Sequence, residues 1–354
     1  MGPKRILIVG NYGAGNLGDD AILGGILNDL KAVGYDGEIM VTHGSIATSS
    51  KIYQKVKRVP FVPTGLRSRF KRKKVKAAKA AIAKADLVIL GGGGLFVDQE
   101  SWKAPYIWSE QARWCRNLGT PYICYGQSIG PLKRWISRKW AKATFKNAQA
   151  IHVRDEASLQ LLHEWDLLHA TQGTDPAFSF LSQLKTKKKK NNRLLISIRE
   201  WGTLTHKHWD EILLPIQEFA QKHELHPVIL SMDPGNPNEQ LQLKNIGFKL
   251  FVPSSVEQAF EEIAQSKMMV SMRLHANIFG LVAGSSLVTL SYSQKVKSLF
   301  SSLEVSKAQV LEEKDWNETA LTEALELALI TKPKFNLEKG ISLNQAFLAH
   351  QLDF

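Results

Sequence analysis

Short apolar runs alternate with amphipathic ones along the chain, and the alternation occurs twice. RILIVG at 5–10 is a continuous apolar run closed by glycine, the mark of a strand buried on both faces. DDAILGGILNDLKAVG at 19–34 then places apolar residues at helical spacing and stops at Gly34. GEIMVTH, KVKRVPFV, DLVIL, PYICYGQSIGP and AIHVRD read as further strands. The helical stretches RKKVKAAKAAIAKA, KRWISRKWAKATFKNA and EASLQLLHEW lie between them. A Lys/Asn run interrupts the pattern at 185–193. The alternation then restarts with RLLISIRE, HPVILSM, FKLFV, KMMVSM and SSLVTLSY. Strands alternating with helices predict parallel sheets with crossover helices.

The expected fold class is therefore α/β, GT-B-like: two Rossmann-like domains with mainly parallel sheets facing a central cleft. The divisions expected are an N-terminal domain over 1–184 and a basic, exposed linker over 185–193. A C-terminal domain over 194–335 follows, then a helix over 336–354 that packs back on the first domain. Ligands are expected at the carboxyl ends of the strands, in the cleft.

Charge adds a second layer. The 354 residues carry a net charge of +13, with 46 Lys and Arg against 33 Asp and Glu. RSRFKRKKVK at 67–76 concentrates part of the excess beside Leu66 and Phe70, a pattern suited to an anionic membrane surface. No zinc-finger, KH or RRM signature accompanies it, so no nucleic acid is expected. Cys115 and Cys124 are the two cysteines, read as reduced core thiols in a cytoplasmic protein, peripheral at most to the inner membrane face. No catalytic metal is expected, because no His/Cys cluster has ligand spacing.

Candidate chemistry falls at predicted strand ends. GNYGAGNLGDD at 10–20 contains G-x-G-x-x-G, yet Asp19 and Asp20 follow it at once and would repel a pyrophosphate. The next strand also lacks the closing acid that a dinucleotide ribose needs, so an NAD site is disfavoured. GGGGLFVDQ at 91–99 permits close backbone approach and puts Asp98 just beyond. Arg199 ends a strand of the second half. Arg273 and His275 begin the helix after KMMVSM, among apolar neighbours. A buried Arg needs an anion, and two arginines with a helix N-terminus suit a ligand with two anionic groups.

Taken in order, GNLGDDAIL, GGGGLFVD, YGQSIGP, VRDEASLQLL, GTDPAFSF, SIREW and SMRLHANIFG resemble the polysaccharide pyruvyl transferases, most closely the CsaB type. The resemblance spans about residues 5 to 300. It implies a GT-B-like enzyme that uses phosphoenolpyruvate as co-substrate, without a cofactor, to form a cyclic pyruvate ketal on a sugar. The sugar implied is N-acetylmannosamine of a lipid-linked cell-wall polysaccharide, whose ketal anchors S-layer proteins. By the same resemblance Arg199, Arg273, Leu274 and His275 contact phosphoenolpyruvate. His275 is the general acid, Asp98 the base and Arg273 a stabiliser of leaving phosphate. Asn16, Asp19, Asp20, Gly93, Gly94 and Gln127 are the acceptor residues implied. Two rivals are a nucleotide-sugar glycosyltransferase on the same fold, with Glu200 as its ribose acid, and a non-catalytic binder of anionic glycans or lipids.

Overall fold

The computed structural model describes residues 2–44, 50–64, 72–99, 101–186, 190–200, 209–292, 294–302, 309–333 and 335–352. The first half holds strands β1 (Arg5–Val9), β2 (Glu38–Thr42), β3 (Lys57–Val59), β4 (Leu87–Leu90), β5 (Gly93–Phe96), β6 (Tyr122–Ile129), β7 (Ile151–Val153) and β8 (Thr171–Gln172). Its helices are α1 (Leu17–Ala32), α2 (Arg72–Lys84), α3 (Lys103–Asn117), α4 (Trp135–Lys146), α5 (Glu156–His163) and α6 (Ala177–Leu181). The second half holds β9 (Arg193–Ser197), β10 (His226–Leu230), β11 (Lys249–Phe251), β12 (Met268–Ser271), β13 (Ser286–Ser291) and β14 (Val310–Glu312). With them lie α7 (Asp210–Lys222), α8 (Pro237–Lys244), α9 (Val256–Gln265), α10 (Leu274–Val282), α11 (Gln294–Ser302) and α12 (Glu318–Ile330). Helix α13 (Glu338–Leu352) ends the described chain.

Each half forms one parallel sheet. The first runs β3-β2-β1-β4-β6-β7-β8, with β5 added to β6, and the second runs β11-β10-β9-β12-β13-β14. Both are wound in two directions from a central strand, so each has a switch point where consecutive crossovers part, β1/β4 and β9/β12. Strands β1, β4, β9 and β12 are almost wholly buried, which explains why they read as unbroken apolar runs.

Four features depart from the sequence expectation. The four glycines do not simply end a strand, because Gly93 and Gly94 open β5. Strands β8 and β14 carry too few apolar residues to register as strands, and each pairs at the edge of its sheet, with β7 and β13 respectively. The end of the Lys/Asn run is anchored rather than free. Lys190 Nζ donates to the carbonyls of Ala264 at 2.7 Å and Ser266 at 3.0 Å, capping the C-terminus of α9.

Helix α13 lies against the first sheet. Asn344 bonds the backbone of Thr174 in both directions, at 2.9 and 3.1 Å, and Phe347 stacks on Tyr125. Between the halves, α1 and α6 pack against α9 and α10, so one apolar cluster continues from sheet to sheet beneath the cleft. On the opposite face of the first sheet, α2, α3 and α4 lie side by side over a separate cluster. Of the 67–76 stretch, Leu66 to Lys71 lie outside the described residues. Arg72, Lys73, Lys74 and Lys76 are exposed on the first turns of α2. Among the described residues no helix is long and apolar enough to cross a membrane.

Candidate active site

A cleft of about 780 Å³ opens between the halves at the carboxyl ends of both sheets. The first half contributes Asn16, Gly94, Val97, Gln99 and the turn Ile129–Leu132. The second contributes Arg199, Met232, Arg273, Leu274, His275 and Tyr292.

Sheet register explains why Arg199 and Arg273 meet. Ser197 on β9 pairs with Ser271 on β12, and each arginine lies two residues further on, at the switch point. Arg273 caps α10 without a capping side chain, and its own N–H donates to Ser271 Oγ at 3.0 Å. The unpaired amides of that helix start share the cleft wall with the guanidinium. The Arg273 side chain is 6% exposed, and its anion within the protein is Glu239, which accepts from Nη2. Burial pushes the Glu239 carboxyl up from its ordinary value, opposed by Arg273 and by Arg199. Sequence reasoning missed Glu239. It follows Asn236 by three positions at the start of α8, and so looks like an ordinary helix-capping acid.

His275 sits in the first turn of α10 with its ring against Gly18. A Cβ at Gly18 would come within 2.1 Å of Nδ1, so the third glycine of the tempting G-x-G-x-x-G makes room for an imidazole. Nε2 lies 3.6 Å from Asp175 Oδ2. Asp175 is buried and also paired with Arg154. Burial alone would raise its carboxyl, but Arg154 and His275 outweigh that and hold it at about 2. Asp175 was visible only as part of the GTDPAFSF motif, with no role attached.

The first-half residues divide. Asn16 lines the cleft and caps α1, its Oδ1 accepting from the N–H groups of Gly18 at 2.9 Å and Asp19 at 3.3 Å. Asp19 is half-buried and accepts from Asn11 at 2.9 Å. Burial pushes it up to about 6, against the pull of His275. Gly94 lines the cleft. Gly93 is buried at φ +100, where a Cβ would stand 3.5 Å from Asp19 Oδ1.

Three expected residues are put to other uses. Asp98 is fully buried, and its two oxygens accept from the N–H groups of Lys133 at 2.7 Å and Arg134 at 2.8 Å. It anchors the entry to α4 and does not line the cleft, so its burial argues against the role of base. Asp20 is 1% exposed and accepts from the Gly13 N–H at 3.0 Å and from the Tyr53 hydroxyl, which closes the glycine turn. Gln127 is fully buried in β6 and donates to the carbonyls of Leu90 and Gly91, so it braces the strand ends rather than an acceptor. Among the described residues no three His, Cys, Asp or Glu side chains gather to hold a metal ion.

A model of the family described as polysaccharide pyruvyl transferase matches residues 16–294. No curated protein matches the chain. Among solved structures, UDP-GlcNAc 2-epimerase of Methanocaldococcus jannaschii, in complex with UDP-GlcNAc and UDP, is similar with a TM-score of 0.66 and 12% identity, over 97% of this chain and 98% of that one. The UDP-GlcNAc 2-epimerase of Neisseria meningitidis bound to UDP-GlcNAc gives 0.59 and 13%, over 98% and 99%. An alpha-glucosyltransferase in complex with UDP gives 0.51 and 12%, over 98% and 96%. At such identities the likeness is one of fold, and that fold is GT-B.

Proposed function

Since the chain belongs to the polysaccharide pyruvyl transferase family, we propose that it transfers the enolpyruvyl carbons of phosphoenolpyruvate to a sugar as a cyclic ketal. The observation that carries this reading is the convergence of Arg199, Arg273 and His275 on one cleft wall. The two guanidiniums and the α10 amides suit a carboxylate and a phosphate carried on neighbouring carbons of a three-carbon skeleton. His275 delivers a proton to the methylene carbon, and positive charge develops at C2. A sugar hydroxyl adds there and loses its proton. The bond from C2 to the bridging oxygen breaks, phosphate departs with that electron pair toward the arginines, and a second hydroxyl closes the ketal. Asp19, near His275 and raised to about 6, is the carboxyl that takes the hydroxyl proton in this reading.

Thermal-shift measurements with phosphoenolpyruvate, UDP-sugars and NAD test the donor. Stabilisation by a UDP-sugar alone would favour a glycosyltransferase, in keeping with what the similar structures hold. Arg273→Ala and Arg199→Ala are each expected to weaken phosphoenolpyruvate binding by about 1.5–3 kcal/mol. Calorimetry in which both variants bind like wild type sinks the donor assignment.

The acceptor in this reading is N-acetylmannosamine of a lipid-linked wall polysaccharide, met at an anionic membrane surface on the cytoplasmic side. The helix starts along the first half's cleft edge support this. Helices α2, α3 and α4 have no acid in their first turns. They carry instead exposed Arg72, Lys73, Lys74 and Lys103, with Lys133 and Arg134 just before α4. Cations are the unfavourable sign at helix N-termini, so an outside anion would relieve them. Trp102 and Trp135 stand among them at 47% and 74% exposure, one turn above the Tyr106–Trp140 contact that joins α3 to α4. Each Lys or Arg near an anionic bilayer contributes about 1 kcal/mol, less as salt rises. Replacing Arg72, Lys73 and Lys74 with Gln is expected to weaken sedimentation with anionic vesicles and to spare activity on a short soluble acceptor. Equal sedimentation with neutral and anionic vesicles removes the membrane from the reading.

A further inference from the structure

Arg273, on the cleft wall, already has an anion of its own within the protein. Glu239 is 7% exposed and bonds Arg273 through one atom on each side, Oε2 to Nη2. The pairing is incomplete. Glu239 Oε1 and Arg273 Nε are both buried with no hydrogen-bond partner among the described residues. A buried polar atom left unpaired costs about 1–3 kcal/mol. Arg273 Nε, on the cleft wall, therefore lacks an acceptor, and Oε1 of the Glu239 bonded to that guanidinium lacks a proton or a donor.

The surrounding charges set what happens when an anion arrives. Glu239 is faced by Arg273 at the start of α10, Arg199 beyond β9 and Asp233 beyond β10. Elsewhere on α8, Gln242 donates to Glu200 at 2.6 Å, and the adjoining β11 offers only Lys249, which is exposed. Two arginines and two acids sum to zero. A ligand with a carboxylate and a phosphate adds about −2.5 to −3 near neutrality. Like charges in a water-poor pocket drive one carboxylate to the acid form.

Resting on the donor reading above, we propose that Glu239 is the resident counter-ion of the donor site and takes up a proton from solvent when the donor's anionic groups bind Arg273 and Arg199. Empty, the site keeps the Arg273 fork aimed at the cleft by charge. Loaded, the neutral carboxyl donates from the protonated oxygen and no longer repels the phosphate. Glu239 acts through Arg273 and is a positioning residue. Burial already raises its carboxyl in the empty site, which favours this direction. Asp19, also raised, is the other carboxyl able to take such a proton, and the variants below separate the two.

The test is titration calorimetry of phosphoenolpyruvate, and separately of inorganic phosphate, in buffers of different ionisation enthalpy. It is run above about pH 8, where phosphate groups have already lost their second proton. Wild type is expected to take up close to one proton per donor, and its affinity to fall about tenfold per pH unit. Glu239→Gln is expected to take up none, to lose the pH slope and to bind more tightly at the alkaline end, whereas Glu239→Asp keeps the uptake. No uptake by wild type with either anion overturns the proposal, whatever the variants do. So does unchanged uptake in Glu239→Gln, which would move the proton to Asp19 or to the imidazole of His275, and the uptake measured in His275→Ala tells those two apart. If only inorganic phosphate binds, and its uptake depends on Glu239, the counter-ion stands and phosphoenolpyruvate falls. Binding of neither anion overturns both.

Discussion

His275→Ala is expected to lower turnover by about 10²–10⁴-fold, the usual contribution of a positioned acid, with donor affinity changed far less. The split follows from the geometry. Arg273 and Arg199 remain to hold the donor's charges, whereas the imidazole lining the cleft between Gly18 and Asp175 is gone. Asp175 does not replace it, because that carboxylate is buried and committed to Arg154. A coupled phosphate-release assay with a competent acceptor reads the turnover, and calorimetry reads the affinity. Equal turnover in variant and wild type would take His275 out of the chemistry.

Asp175→Ala is expected to be the most destabilising single change at the site, by about 3–5 kcal/mol, because it leaves Arg154 buried without its counter-charge. The pH dependence has a definite sign. Asp175 is held at about 2 in the fold, below the roughly 3.9 of an unfolded aspartate. Its stabilisation, on the order of 2–3 kcal/mol, is therefore fully present above about pH 4 and is lost as pH falls toward about 2. Denaturant titrations across that window should show wild type losing stability on this limb and the variant lacking that part of the loss. Parallel curves would mean that the ion pair contributes nothing net. Because Asp175 also stands 3.6 Å from His275 Nε2, activity should fall with stability, and a softer Asp175→Asn change separates the two effects.

The apolar runs at β1, β4, β9 and β12 announced parallel sheets because a strand covered on both faces has no polar side to show. The break near 185–193 announced the second half for the same reason, since a Lys/Asn run cannot be buried. His275 and Arg273 stood out because charge inside an apolar segment demands a partner. These are properties of neighbours in sequence, and the period of a helix or strand is enough to expose them.

Partners distant in sequence were not legible. Arg199 and Arg273 are 74 positions apart and meet because β9 and β12 pair at Ser197 and Ser271, a register that only the assembled sheet fixes. Asp98, Asp20 and Gln127 carry side chains suited to catalysis or binding, yet the tertiary fold buries all three and commits the Asp98 and Asp20 carboxylates and the Gln127 amide nitrogen to the α4 entry, the glycine turn and the strand ends. Gly18 belongs to a phosphate-binding pattern by spacing, and only the approach of α10 makes it the seat of an imidazole. Glu239 and Asp175 carry no local mark of a role at the site. A lone acid near a helix start is indistinguishable from a cap until the fold removes water from around it and brings a guanidinium or an imidazole to its side. The sequence alone therefore determined which segments are buried and which residue types can do chemistry. The tertiary structure decided which of those residues still have an unpaired atom facing the cleft, because that depends on every backbone group and side chain that folding brings alongside.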